Sequence, residues 1–112
     1  MLKKINRLLL KKDFDAVWKK GRSSYDKILG IKTLSNNLTN NRFGIMAGLK
    51  VSKLAVERNK IKRRIRETIQ VEEKKLKNGF DIVVTVLPAA KEKTFAELKE
   101  SVKFNFKRLR LL

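Results

Sequence analysis

Residues 80–87 read FDIVVTVL, and this stretch decides how the rest of the chain can pack. Its apolar side chains fall on both parities, so a strand here is buried on both faces and belongs at the centre of a sheet. Helices are therefore needed around it. Immediately upstream, a long helix is predicted from about Ser52 or Lys53 to about Leu76, with Ser52 as candidate cap and Asn78-Gly79 as its stop. Before that helix, YDKILGIKTL (25–34) and RFGIMAGL (42–49) have strand composition. The intervening SNNLTNN has turn composition, which predicts a hairpin. Further back, KKDFDAVWKKG predicts a short helix over 13–20, with Asp13 as N-cap, Phe14 and Trp18 on one face and Gly21 as the stop. Downstream, Thr94 and Glu97 form a capping-box pattern. They open a last helix with Phe95, Leu98, Val102, Phe106 and Leu109 on one stripe, and Phe95, Phe104 and Phe106 are assigned to the core. The order is α-β-β-α-β-α: an α/β chain built as an α+β sandwich, with helices packed on a small mixed sheet and 1–112 reading as a single domain.

Charge then narrows the function. Lys and Arg number 29 against 11 Asp and Glu, giving +18 over 112 residues. An excess of that size speaks about partners, with nucleic acid first and an anionic membrane surface second. The chain has no cysteine and no histidine, which removes disulfides, thiolate metal sites and any His-based zinc site or triad. The longest apolar run, Ile82 to Ala90, falls well short of the roughly 20 residues of a membrane span. The basic start holds a three-leucine run too short for a signal-peptide core, so the cytoplasm is the expected location.

The charge is concentrated in ERNKIKRRIRE (57–67), where six of the nine positions from Arg58 to Arg66 are Lys or Arg. On a helical wheel Ile61, Ile65 and Ile69 fall within about 80° of one another, a narrow stripe that can seat on a sheet. Lys62, Arg66, Asn59 and Arg63 spread over one flank, and Lys60 and Arg64 lie on the other. A solvated surface helix normally mixes signs four residues apart. Between Arg58 and Arg66 there is no acid, which favours anion binding. Arg58 projects along the isoleucine stripe and is either a capping or packing feature or a group pointing past the sheet edge into a groove. Asn59 is a surface amide suited to phosphate or ribose oxygens. Phe14 and Trp18, flanked by Lys11, Lys12, Lys19 and Lys20, are either a hydrophobic anchor for the first helix or a stacking platform for unpaired bases. No group of residues reads as a protein active site.

The run KVSKLAVERNKIKRRIRE (50–67) resembles the signature of the protein subunit of bacterial ribonuclease P: Ala55, Val56, Arg58, Asn59, Lys62 and Arg63 match its motif, and Arg66 and Glu67 the pair that follows. RLLLKKDFDAVWKKG (7–21) is similar to that family's opening, so the likeness spans nearly the whole chain. The resemblance implies a left-handed β-α-β crossover, where general rules favour the right-handed form. It also implies a protein that binds a catalytic RNA, the RNA using Mg²⁺ to remove the 5′ leader from precursor tRNA. Carried over by residue, Lys53, Arg58, Asn59, Lys60, Lys62, Arg63, Arg64 and Arg66 are the RNA-binding positions. Phe14, Trp18, Lys32, Lys62 and Arg66 are the positions of a cleft for the single-stranded leader. Three departures from the family pattern stand out: Lys60 replaces an arginine, Lys32 replaces a frequent tyrosine, and one extra residue lies between Lys50 and Ala55. No small-molecule substrate and no membrane partner are expected. The alternative is a general RNA-binding or ribosome-associated basic protein.

Overall fold

The structure, a computed structural model, describes residues 6–112. Its elements are α1 (Lys11–Lys20), β1 (Arg22–Tyr25), β2 (Leu29–Ser35), β3 (Arg42–Met46), α2 (Ala55–Glu72), β4 (Phe80–Val86) and α3 (Phe95–Arg108), with short 3₁₀ turns at Glu73–Lys75 and Pro88–Glu92. The sheet order is β1-β2-β4-β3; β4 runs antiparallel to β2 and parallel to β3. The two-parity strand is thus central, as its composition requires. Ile82, Val84 and Val86 join the buried isoleucines of α2 and the Leu98, Val102 and Phe106 stripe of α3 on one face. Val83 meets Leu8 and Val17 of the α1 layer on the other.

That central placement overturns the expected hairpin between 25–34 and 42–49. β2 and β3 do not pair, because β4 inserts between them, and α2 makes the crossover from β3 to its parallel neighbour β4. A strand apolar on both parities gains most by burying both edges and both faces, so it displaces the nearer pairing. Among the described residues the hairpin is β1–β2, and its first strand lies almost wholly ahead of the stretch read as one strand, 25–34. Asp26 breaks that stretch: its Oδ1 accepts hydrogen bonds from the backbone N–H of Ile28 (2.8 Å) and Leu29 (2.9 Å), a local turn that competes with continued strand.

Other boundaries shift for similar local reasons. α1 begins at Lys11, with Leu10 in the cap position, so Asp13 lies in the first turn and is not the cap. α2 begins at Ala55 after Leu54. Ser52 Oγ accepts from the Leu54 N–H and donates to Glu57, bracing the approach without capping the helix. α2 ends at Glu72, passes through the 3₁₀ turn, and the chain reverses at Gly79 with φ +89°. The Thr94–Glu97 capping box is present. Of the three phenylalanines assigned to the core, only Phe106 is buried. Phe104 lies two residues on from Val102, about 200° around the helix and away from the sheet. Phe95 opens the helix at the end of the stripe. Both are exposed, with Arg108 over Phe104 at 5.5 Å and Arg64 over Phe95 at 5.9 Å.

Two polar clamps fix the layers. Arg42 forks onto Asp81 opposite it on β4 (2.8 and 2.6 Å) and reaches Asp13 of α1 at 3.4 Å, tying the first helix to the sheet. On the far side, Asp26 Oδ2 accepts from Ser101 and Asn105 of α3, and Asn105 in turn accepts from Ser24. Burial alone would raise the Asp26 pKa; hydrogen bonds from Ser101, Leu29, Ile28 and Asn105 outweigh it, and the carboxyl sits below its ordinary value. A group lowered in the fold adds stability above its unfolded pKa, near 4, and that stability is lost as pH falls through the folded value. Asp26→Asn is expected to cost about 1–2 kcal/mol near neutrality. Thermal melts of both proteins should converge between about pH 5 and pH 2. A gap that ignores pH would show that the carboxylate charge is not what the clamp uses.

Candidate nucleic-acid interface

The interface is assembled from α2 outward. Ile61, Ile65 and Ile69 are buried against the sheet side, as the wheel predicts, together with Thr68 and Glu72. Fixing that stripe turns the cations out: Lys60, Arg63 and Asn59 are exposed, Lys62, Arg64 and Arg66 are half-buried, and Lys53 is exposed just ahead of the helix. Among the described residues, none of the six cations from Arg58 to Arg66 forms an ion pair with an acid. Of the two placements open to Arg58, the structure shows the local one: its Nη1 donates to Ser52 O at 2.9 Å, strapping the start of the helix.

At the β3 edge, Arg66 comes together with Phe14. They border a hollow of about 380 Å³ whose other walls are Arg7, Leu8 and Leu9 and the strand residues Phe43, Gly44 and Ile45. The N-terminal segment builds its wall by pairing with the strand: Leu8 N–H donates to Phe43 O at 2.8 Å, and Arg7 bridges Phe43 in parallel register. Gly44 makes the room. A Cβ at that position would lie 2.5 Å from the Phe14 ring, so any larger residue would push the aromatic out of the hollow.

A second hollow, about 420 Å³, continues on the other side of Phe14 and is bordered by Leu9, Lys11, Asp15, Trp18 and Met46. Trp18 is half-exposed, and the Lys32 ammonium lies 4.6 Å from its ring centroid while donating to Trp18 O at 3.0 Å. The ring is therefore braced from the sheet side by a cation. Three of the five residues expected to form a cleft, Phe14, Trp18 and Arg66, line these two hollows, and Lys32 reaches them only through its contact with Trp18. Lys62 lies about one turn before Arg66 on α2 and borders neither. The walls from Arg7, Leu8, Leu9, Gly44 and Met46 escaped sequence reasoning. Gly44 carried the one usable signal, a glycine inside a strand pattern, which marks a close approach.

Cations without acidic partners along a helix, next to an open aromatic floor, are the features of an RNA-binding protein of the α+β class. The comparisons make the assignment particular. A family model described as ribonuclease P matches residues 2–110. The ribonuclease P protein component of Alkaliphilus metalliredigens is 35% identical over 107 residues, covering 96% of each chain, and that of a Pseudanabaena species is 40% identical over 104 residues, covering 92% of this chain and 90% of the relative. The solved structure of the Staphylococcus aureus RNase P protein superposes with a TM-score of 0.88 at 31% identity, covering 95% of this chain and 96% of that one. The Thermotoga maritima RNase P protein gives 0.83 at 29% identity, covering 91% and 96%. The chain belongs to the ribonuclease P protein family, and RNA binding and a part in tRNA processing follow from that membership.

Proposed function

We propose that this protein, acting as one domain over 1–112 in the cytoplasm, holds the catalytic RNA of ribonuclease P with α2 and the 5′ leader of precursor tRNA in the two hollows beside it. The observation that carries the reading is the run of cations without acidic partners on α2 adjoining the Phe14–Trp18 floor. Lys and Arg neutralise phosphates over a broad footprint, and a leader strand adds base stacking that only the precursor can supply. Discrimination of precursor from mature tRNA follows, since the mature molecule lacks that strand.

Hydrolysis belongs to the RNA in this reading, with Mg²⁺ held by RNA. Among the described residues no group of three or more His, Cys, Asp or Glu side chains is placed to hold a metal ion. The protein's contribution is electrostatic: charge that it neutralises no longer has to be neutralised by Mg²⁺.

The test is cleavage of precursor tRNA by the catalytic RNA at low Mg²⁺, with and without the protein. Cleavage at the mature 5′ end is expected only when the protein is added. Tight RNA binding without restored cleavage would instead identify a general RNA-binding protein.

A further inference from the structure

Asp15 is the acid on the border of the hollows that the clamps leave unused. Asp13, two residues earlier, is taken by Arg42, whereas Asp15 is exposed and its carboxylate makes no hydrogen bond or ion pair among the described residues. Lys11 and Lys19, four residues to either side on α1, stay outside ion-pair range of it. Asp15 and Trp18 are three apart on one helix, so their Cβ atoms lie about 5–6 Å from each other and both face the second hollow. A carboxylate there repels phosphate, so it weakens a channel meant for a polyanion unless it finds donors on the ligand.

The donors that RNA offers beside a stacking ring are base N–H groups. A carboxylate is acceptor-only with two oxygens. Guanine presents two adjacent N–H donors on its Watson–Crick edge, a match for both oxygens. Cytosine and adenine present one amino group beside an acceptor nitrogen. Uracil places its single N–H between two carbonyl oxygens that face the carboxylate unfavourably. We propose that Asp15 reads the edge of a leader base stacked on Trp18, favouring guanine and disfavouring uracil; this rests on the leader reading above. It also sets the strand's orientation, with phosphates on the Arg66 side of Phe14 and base edges on the α1 side.

The test uses the protein assembled with its catalytic RNA and precursor tRNAs that differ at one leader nucleotide at a time, at one salt concentration. At one leader position guanine should bind tighter than uracil by about five- to tenfold, the lower end of what a two-point side chain–base contact gives. Asp15→Ala should compress that ratio below about twofold, because the guanine leader loses its two-point contact while the uracil leader is freed of the repulsion. Asp15→Asn, which offers a donor as well as an acceptor, should also flatten the ranking. An unchanged ranking in both variants overturns the inference. If removing Phe14 and Trp18 still abolishes the preference for precursor, the leader reading survives that failure; if it does not, both fall.

Discussion

Replacing Phe14 and Trp18 together by alanine is expected to weaken precursor tRNA binding by about 30-fold while changing mature tRNA binding by less than about twofold. The magnitude follows from stacking, which contributes about 1–3 kcal/mol per base; two contacts at the low end give about 2 kcal/mol, or roughly 30-fold. The two rings are not equivalent. Trp18 is half-exposed and braced by Lys32, so Trp18→Ala removes a contact surface with little effect on the fold. Phe14 also packs against the small cluster of Leu8, Val17 and Val83, so its truncation costs stability as well, and thermal melts must accompany the binding data. Trp18 is the only tryptophan in the chain, so its fluorescence reports on the hollow directly and should change on adding a leader oligonucleotide. Equal losses for precursor and mature tRNA would contradict a leader cleft.

How much of this was legible beforehand depends on whether a residue's job is local. The two-parity strand, the isoleucine stripe and the capping box are each set by the side chains of one element, and each is where the pattern puts it. The failures are of another kind. The turn composition of 35–41 favours a hairpin, but the central strand competes for the same edges and wins them. Asp26 looked like an ordinary strand residue, because its four hydrogen bonds come from residues either adjacent or about 75 positions away. Phe104 is apolar and reads as core, yet its distance of two residues from Val102 turns it to solvent. At the interface, periodicity gave the cations of α2, and the family resemblance gave the cleft residues Phe14, Trp18, Lys32 and Arg66. Neither signal reaches the walls that Leu8 and Gly44 supply, because those exist only once the N-terminal segment pairs with β3.

Ile65→Ala and Arg63→Ala should separate the two jobs that α2 performs. Ile65 is fully buried, and truncating it is expected to cost about 3 kcal/mol through lost transfer energy and the cavity left behind. For a domain of this size that is a fall in Tm of about 10–20 °C. Arg63 is exposed and has no acidic partner, so Arg63→Ala should leave stability within about 0.5 kcal/mol of wild type, or raise it slightly by easing self-repulsion. Its effect should appear with RNA instead: weaker binding to the catalytic RNA, and a salt dependence whose log–log slope is shallower by about one. The two effects are also linked. RNA binds the folded protein in preference to the unfolded chain, so saturating RNA should restore much of the Tm lost in Ile65→Ala, with the gain set by the ratio of RNA concentration to Kd. At the same RNA concentration Arg63→Ala should gain less than wild type, because its Kd is higher. Loss of helical circular dichroism in free Arg63→Ala would mean that the charge holds the helix rather than the RNA, and the division of labour along α2 would be wrong.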